Sequence, residues 1–192
     1  MSRSVAHLPH PAEASLFGDA LTCDAVLPAS FQRGARVLMQ QASETLLLGL
    51  AVAEDTRGED PDERGELPLA VQRLDAKLDL VLGLLGRLAG RLENPLPPCP
   101  LRWSHRGLRL DLEQPVDVAT GDTGVVRLAP VSWINDSIEL PVTVLDQQHS
   151  ESGQHLWLRT GALEPGYAEA LERHLFRMHR RQIAEARRAS GG

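Results

Sequence analysis

From Leu67 the apolar positions return in unbroken steps of four and three: Leu67, Val71, Leu74, Leu78, Val81, Leu85, Leu88 and Leu92. That spacing holds one seam on one side of a helix for about 39 Å at 1.5 Å per residue. Leu82 and Leu84 lie beside the seam at e and g positions, where a two-stranded coil carries charges. The widened stripe favours several helices around a shared core, so these eight positions are the expected oligomer interface. The competing arrangement is a hairpin inside one chain, with the 67–92 helix packed on an earlier one. That earlier helix is predicted over Gln32 to Ala53, where Leu38, Ala42, Thr45, Gly49 and Val52 recur at helical spacing. Between the two, residues 54–66 hold seven acids and two arginines with Gly and Pro, the composition of a solvated linker.

The period then changes. Residues 93–100, ENPLPPCP, stop the helix and open an extended connection. Beyond them apolar and polar residues alternate: Leu108, Leu110 and Leu112 with Arg109 and Asp111; Ile138, Leu140, Val142 and Val144 with Glu139, Pro141 and Thr143; Leu156 and Leu158 around Trp157. Gly- and Asp-containing breaks at 120–124, at Asn135-Asp136-Ser137 and at 150–153 separate these runs, which together predict a small barrel or sandwich. A final helix is predicted after Glu164-Pro165-Gly166, running to about Arg188, with Leu171, Leu175, Met178 and Ile183 on its buried side. Ahead of the helices, residues 1–15 read as a loose tail. One short strand is expected from Ala20 to Leu27, ended by Pro28, with Ser30 as cap of the following helix. The expected division is therefore an N-terminal tail and short strand at 1–31, a helical oligomerisation segment at 32–93, and a β-barrel with terminal helix at 94–192.

Composition narrows the function. The 192 residues are 42% hydrophobic and 24% charged, the balance of a globular protein, but only 4% aromatic. The net charge of −6 disfavours a nucleic-acid-binding protein. Cys23 and Cys99 lie too far apart for metal or redox spacing and are expected as buried or unpaired thiols. The N-terminus lacks a basic stretch followed by an apolar run, and no stretch approaches the length of a membrane span, so the cytoplasm is the expected compartment.

At Arg102-Trp103-Ser104-His105-Arg106-Gly107 the chain resembles the PilZ family, whose [Asp/Asn]-x-Ser-x-x-Gly motif opens a barrel strand. The downstream SIELPVTVL, HLWLRTGAL and LERHLFRMHRRQIAE stretches are similar to PilZ strands and to the helix that closes the barrel. LDAKLDLVLGLLGRL, residues 74–88, resembles the long helix of the atypical, tetrameric group of that family. The resemblance implies an α+β fold: a small PilZ-like antiparallel β-barrel with inserted long heptad helices and a C-terminal helix, assembled as a homo-oligomer, a tetramer. It also implies a place in bacterial cyclic di-GMP signalling, with a protein partner in the pathway.

Typical members bind cyclic di-GMP through an Arg-x-x-x-Arg segment ahead of the barrel together with the motif strand. Guanidiniums suit a ligand of two phosphates and two guanines. Here the Asp/Asn position is Arg102, which accepts no hydrogen bond. The 93–100 connection carries no arginine, and Arg87 and Arg91, though correctly spaced, sit within the heptad pattern, where a solvated stripe is the plainer reading. Two readings stay open. One is a regulatory protein that lacks the usual nucleotide site and acts by protein contact. The other is a receptor that takes cyclic di-GMP as ligand through an altered site at Arg102, Ser104, Arg106 and Gly107.

No catalytic constellation or cofactor is expected. Ser104 has no sequence-visible base and is read as a hydroxyl bonded to nearby backbone. Seven histidines invite a metal, but His174 and His179 stand five apart, against the four-residue spacing of a helical chelate. Arg173, Arg177, Arg180 and Arg181 form either a solvated face of the last helix or a basic surface for an acidic partner, a nucleotide or nucleic acid. Trp103, Trp133 and Trp157 are candidates for the barrel surface or its packed core.

Overall fold

The computed structural model describes residues 10–34, 38–58, 96–134, 136–150 and 153–190. In chain order these form α1 (Pro11–Phe17), β1 (Cys23–Arg33), α2 (Gln40–Gly58), β2 (Pro98–Ser104), β3 (Gly107–Leu112), β4 (Thr123–Leu128), β5 (Ile138–Ser150), β6 (Gly153–Thr160) and α3 (Pro165–Ser190). The strands close an antiparallel barrel in the order β1-β2-β3-β6-β5-β4. Of the barrel and the sandwich that the alternation allows, the chain forms the barrel, and the α+β arrangement with a C-terminal helix is as the family resemblance implies. The heptad run, with all eight seam positions from Leu67 to Leu92, lies outside the described residues.

Alternation explains the barrel interior. On β3, Leu108 and Leu110 are fully buried, while Arg109 and Asp111 between them point outward and are only part-buried. Leu101 and Trp103 of β2, Leu156 and Leu158 of β6, and the even-numbered apolar positions of β5 join them inside. A register shift between Val144 and Asp146 marks a bulge on β5 that bends the sheet toward closure.

β1 is longer than its hydrophobic pattern indicates. It runs through Pro28 to Arg33, pairing with β2 up to Pro28 and with β4 from Ala29 onward. Pro28 sits where the ladder changes partners, so its missing N–H costs no hydrogen bond, and its carbonyl accepts from Ala129. Ser30 is a strand residue opposite Arg127, not a helix cap. α2 accordingly begins at Gln40, not Gln32. Its buried face is Ser43, Leu47 and Leu50, whereas Ala42, Thr45 and Gly49 of the expected stripe are exposed. Tertiary contacts decide the face. Leu47 and Leu50 join the main core, and the Ser43 hydroxyl accepts from the Glu139 N–H of β5 at 3.0 Å.

α2 also continues through residues 54–58, expected as linker. Glu54 explains the extension: its carboxylate, only 10% exposed, takes Arg177 at 3.0 Å and Arg181 at 2.7 Å from α3. A two-guanidinium clamp on a half-dry carboxylate locks α2 to α3. α3 closes one end of the barrel with Tyr167, Leu171, His174, Leu175 and Met178. Ile183, expected inside, is 40% exposed because the helix has by then passed the barrel rim. Both cysteines are free and buried, and burial pushes each thiol up to about 11.

His174 makes the fold sensitive to acid. Its ring is fully buried beside Trp103, ring centres 6.0 Å apart, and Nε2–H donates to the Pro130 carbonyl at 3.1 Å. Burial lowers its pKa from 6.5 to about 4, against the opposing pull of the Glu54 charge. The unfolded chain therefore takes up this proton first as pH falls. The His174 contribution is complete above pH 6.5 and is lost on the way down to about 4. Urea unfolding at about pH 8 and about pH 5 should differ by about 2 kcal/mol through this residue. The difference should shrink by that amount in His174→Gln; an equal pH slope in both proteins would refute the assignment.

Candidate functional site

The motif strand lies where β2 turns into β3, and all four sequence-predicted site residues are near one another there. Arg102 and Arg106 project outward, Ser104 is fully buried, and Gly107 opens β3 opposite Arg159 of β6. What the alternation does not reveal is that α1 and the turn after it lie across this face. Residues 11–15, expected as tail, are helical because three apolar residues find a seat there. Ala12, Leu16 and Phe17 pack with Trp157 in a small cluster outside the barrel. Pro11 starts the helix at a position where a missing N–H is harmless, and His10 Nδ1 accepts from the Ala12 N–H at 3.3 Å. The His10 ring stacks on Trp157 at 4.0 Å, nearly parallel.

Each motif residue is engaged by this segment. The Ser104 hydroxyl donates to the Leu16 carbonyl at 2.8 Å and accepts from the Arg106 N–H at 3.1 Å. Arg102 pairs with Asp24 at 2.8 Å and with Glu13 at 3.2 Å. Arg106 reaches Asp19 at 2.5 Å. Gly107 faces the Leu16 side chain, with Leu16 Cδ2 2.9 Å from where a β-carbon would stand. Arg109, one turn of the pleat further on, bonds Glu13 at 2.8 Å and Asp111 at 2.9 Å, and Asp111 also meets His155 at 2.7 Å.

Glu13 is the centre of this network. Burial alone would raise its pKa, but hydrogen bonds from Trp157 Nε1 and Arg109, with the charges of Arg109 and Arg102, hold it below the usual 4.5. Hydrogen bonds and charge from Asp24 and Glu13 raise Arg102 above its ordinary value despite some burial. Three arginines on this face thus meet four carboxylates: Glu13, Asp19, Asp24 and Asp111. The positive charge of the motif strand is thus paired within the chain. The one sequence signal for this was three acids, at 13, 19 and 24, upstream of a basic motif.

A second feature lies between the β2–β3 turn and α3. A shallow groove of about 600 Å³ runs from Leu21 and His105 to Phe176 and Arg180 of α3. Of the expected basic positions, Arg177 and Arg181 are held by Glu54, and Arg173 pairs with Glu169 on its own helix. Trp103 and Trp157 are buried, the first in the core and the second under α1, while Trp133 is half exposed. Among the described residues no group of His, Cys, Asp or Glu is placed to hold a metal, and no helix is long and apolar enough to cross a membrane.

Residues 47–188 match the family model described as atypical PilZ domain, cyclic di-GMP receptor. A crystal structure of a pathogenic protein from Xanthomonas campestris is 46% identical, covers 90% of this chain and 95% of its own, and superposes with a TM-score of 0.76. That protein is described as a tetrameric PilZ domain self-assembled through an unusual helical bundle. The inhibitor of motility of Bacillus subtilis is 17% identical over 46% of this chain and 43% of its own, with a TM-score of 0.37. No curated protein matches the sequence.

Proposed function

Because this chain belongs to the atypical PilZ family, we propose that it is a non-catalytic regulatory protein of bacterial cyclic di-GMP signalling, working in the cytoplasm by protein contact and with its motif face closed to the nucleotide. One observation carries the reading: Arg102, Ser104, Arg106 and Gly107 are each occupied by residues 13–24 of the same chain. A diphosphate would have to displace Glu13, Asp19 and Asp24, and to expose Leu16 and Trp157 to water. Arg102, standing where an acceptor side chain would meet a guanine edge, offers donors only. The same reading makes the 67–92 heptad segment an assembly device that joins copies, supported by the tetramer of the Xanthomonas relative.

The family description favours a second reading, a receptor that binds cyclic di-GMP at Arg102, Ser104, Arg106 and Gly107 after α1 leaves. Isothermal titration of the full chain with cyclic di-GMP separates the two. Closed-site regulation expects no saturable heat up to high micromolar nucleotide. Micromolar binding that disappears in the Arg102→Ala, Arg106→Ala double variant would replace the first reading by the second.

A further inference from the structure

The outer face of α3 carries a second heptad stripe that nothing in the barrel covers. Arg173, Phe176, Arg180, Ile183 and Arg187 follow one another in steps of three, four, three and four, and all five are exposed. Phe176 and Ile183 are 52% and 40% accessible, large values for apolar side chains on a helix whose opposite face is core. Arg180 lies over the Phe176 ring at 5.9 Å, covering only one side of it. No carboxylate among the described residues pairs with Arg180 or Arg187. From Ile183 to Ser190 every residue is exposed, so two turns of helix extend past the barrel without support from it. The groove flanks the Phe176 end of the stripe, where Leu21 and Leu175 supply apolar surface between three arginines and a single carboxylate, Glu172.

We propose that this stripe is a docking seam for an acidic amphipathic helix of a partner protein. The geometry sets the form of the occupant: apolar side chains one heptad apart on α3 accept apolar residues at matching spacing from a second helix. Charge sets its sign. α3 holds six arginines against three glutamates, in a chain whose net charge is −6. Two of those arginines are consumed by Glu54 and one by Glu169, which leaves Arg180 and Arg187 on the seam to receive partner carboxylates. The basic end residues Arg187 and Arg188 also suit the helix dipole, but the dipole has no use for Phe176 and Ile183. Nucleic acid fits poorly, since apolar residues alternate with the cations along the seam.

This deepens the reading of a regulator that acts by contact and rests on it, yet the two fail separately, because the nucleotide titration reads Arg102 and Arg106 whereas the peptide reads Phe176 and Arg180 of α3. The probe is a fluorescein-labelled synthetic helix of about three heptads, with leucine at a and d and glutamate at e and g. Fluorescence anisotropy with the full chain should give saturable binding on the order of tens of micromolar. Phe176→Ala and Arg180→Glu should each weaken it about tenfold or more, with far-UV circular dichroism unchanged. The proposal is overturned by absence of saturation, by equal binding of the same peptide with serine in place of leucine, or by equal binding of a mixed-sequence DNA duplex. It is also overturned if Phe176→Ala lowers the native mass, because the seam would then join copies of this chain.

Discussion

Gly107→Ala should cost the barrel about 3 kcal/mol, near the upper end of what overpacking costs. In a chain of this size that corresponds to a melting temperature lower by roughly 6–12 °C. The reason is local and backbone-borne. A β-carbon on Gly107 would stand well inside contact distance of the Leu158 carbonyl oxygen on β6, and 2.9 Å from Leu16 Cδ2. The Leu16 side chain can shift, but the carbonyl belongs to a paired strand, with Gly107 opposite Arg159 and Leu108 opposite Leu158. Relief requires β3 and β6 to part where α1 is also seated. Ser104→Ala, by contrast, removes a hydroxyl and orphans the Leu16 carbonyl and the Arg106 N–H, a loss of about 1–2 kcal/mol. Urea denaturation followed by tryptophan fluorescence, at one protein concentration, ranks the two. A Gly107→Ala midpoint equal to that of Ser104→Ala would show that the strands yield locally, and the close-approach argument would fall.

That ranking bears on function, because it assigns the Ser and Gly of the motif to the architecture. Ser104 ties β2 to the backbone of α1, and Gly107 lets β3 and Leu16 approach β6. The motif in this chain therefore testifies first to the barrel and its N-terminal cover, and its presence alone is no argument for nucleotide binding.

The particular residues also explain what could be read from the sequence. Leu108-Arg109-Leu110 and Ile138 to Val144 announced strands because a barrel wall has one wet and one dry face, and that asymmetry is written at period two. α1 was unreadable for the opposite reason: its seven residues hold no period, and its stability comes from Trp157 and Arg109, far along the chain. Likewise Gln32 and Arg33 were drawn into β1 by pairing with Val125 and Gly124, partners that no local pattern reveals. Glu54 read as linker charge until two arginines of α3 claimed it. The motif could be located from sequence, but its occupancy could not, since Glu13, Asp19 and Asp24 act through tertiary distance.

If the 67–92 segment joins four copies as proposed, Leu78→Asp combined with Leu85→Asp should reduce the native mass from four times the 21.0 kDa chain to a single chain. Both positions belong to the eight-residue seam of the 67–92 heptad pattern, one heptad apart. An aspartate on such a seam, buried by assembly without a partner, would cost several kcal/mol, and the cost would recur in each copy. No side chain on the adjacent apolar positions, Leu82 and Leu84 included, can pair with it. Leu48→Asp is the matched control, a leucine-to-aspartate change on an already exposed face of α2, and should leave the mass unchanged. The barrel should survive the double variant. Its described core is closed by β1 to β6, α2 and α3, so the fluorescence of buried Trp103 should persist while the assembly is lost. Sedimentation velocity reads the outcome directly. A mass still fourfold would place the interface elsewhere, and a single-chain mass for the unmodified protein would remove the assembly half of the proposed function while leaving the closed motif face untouched.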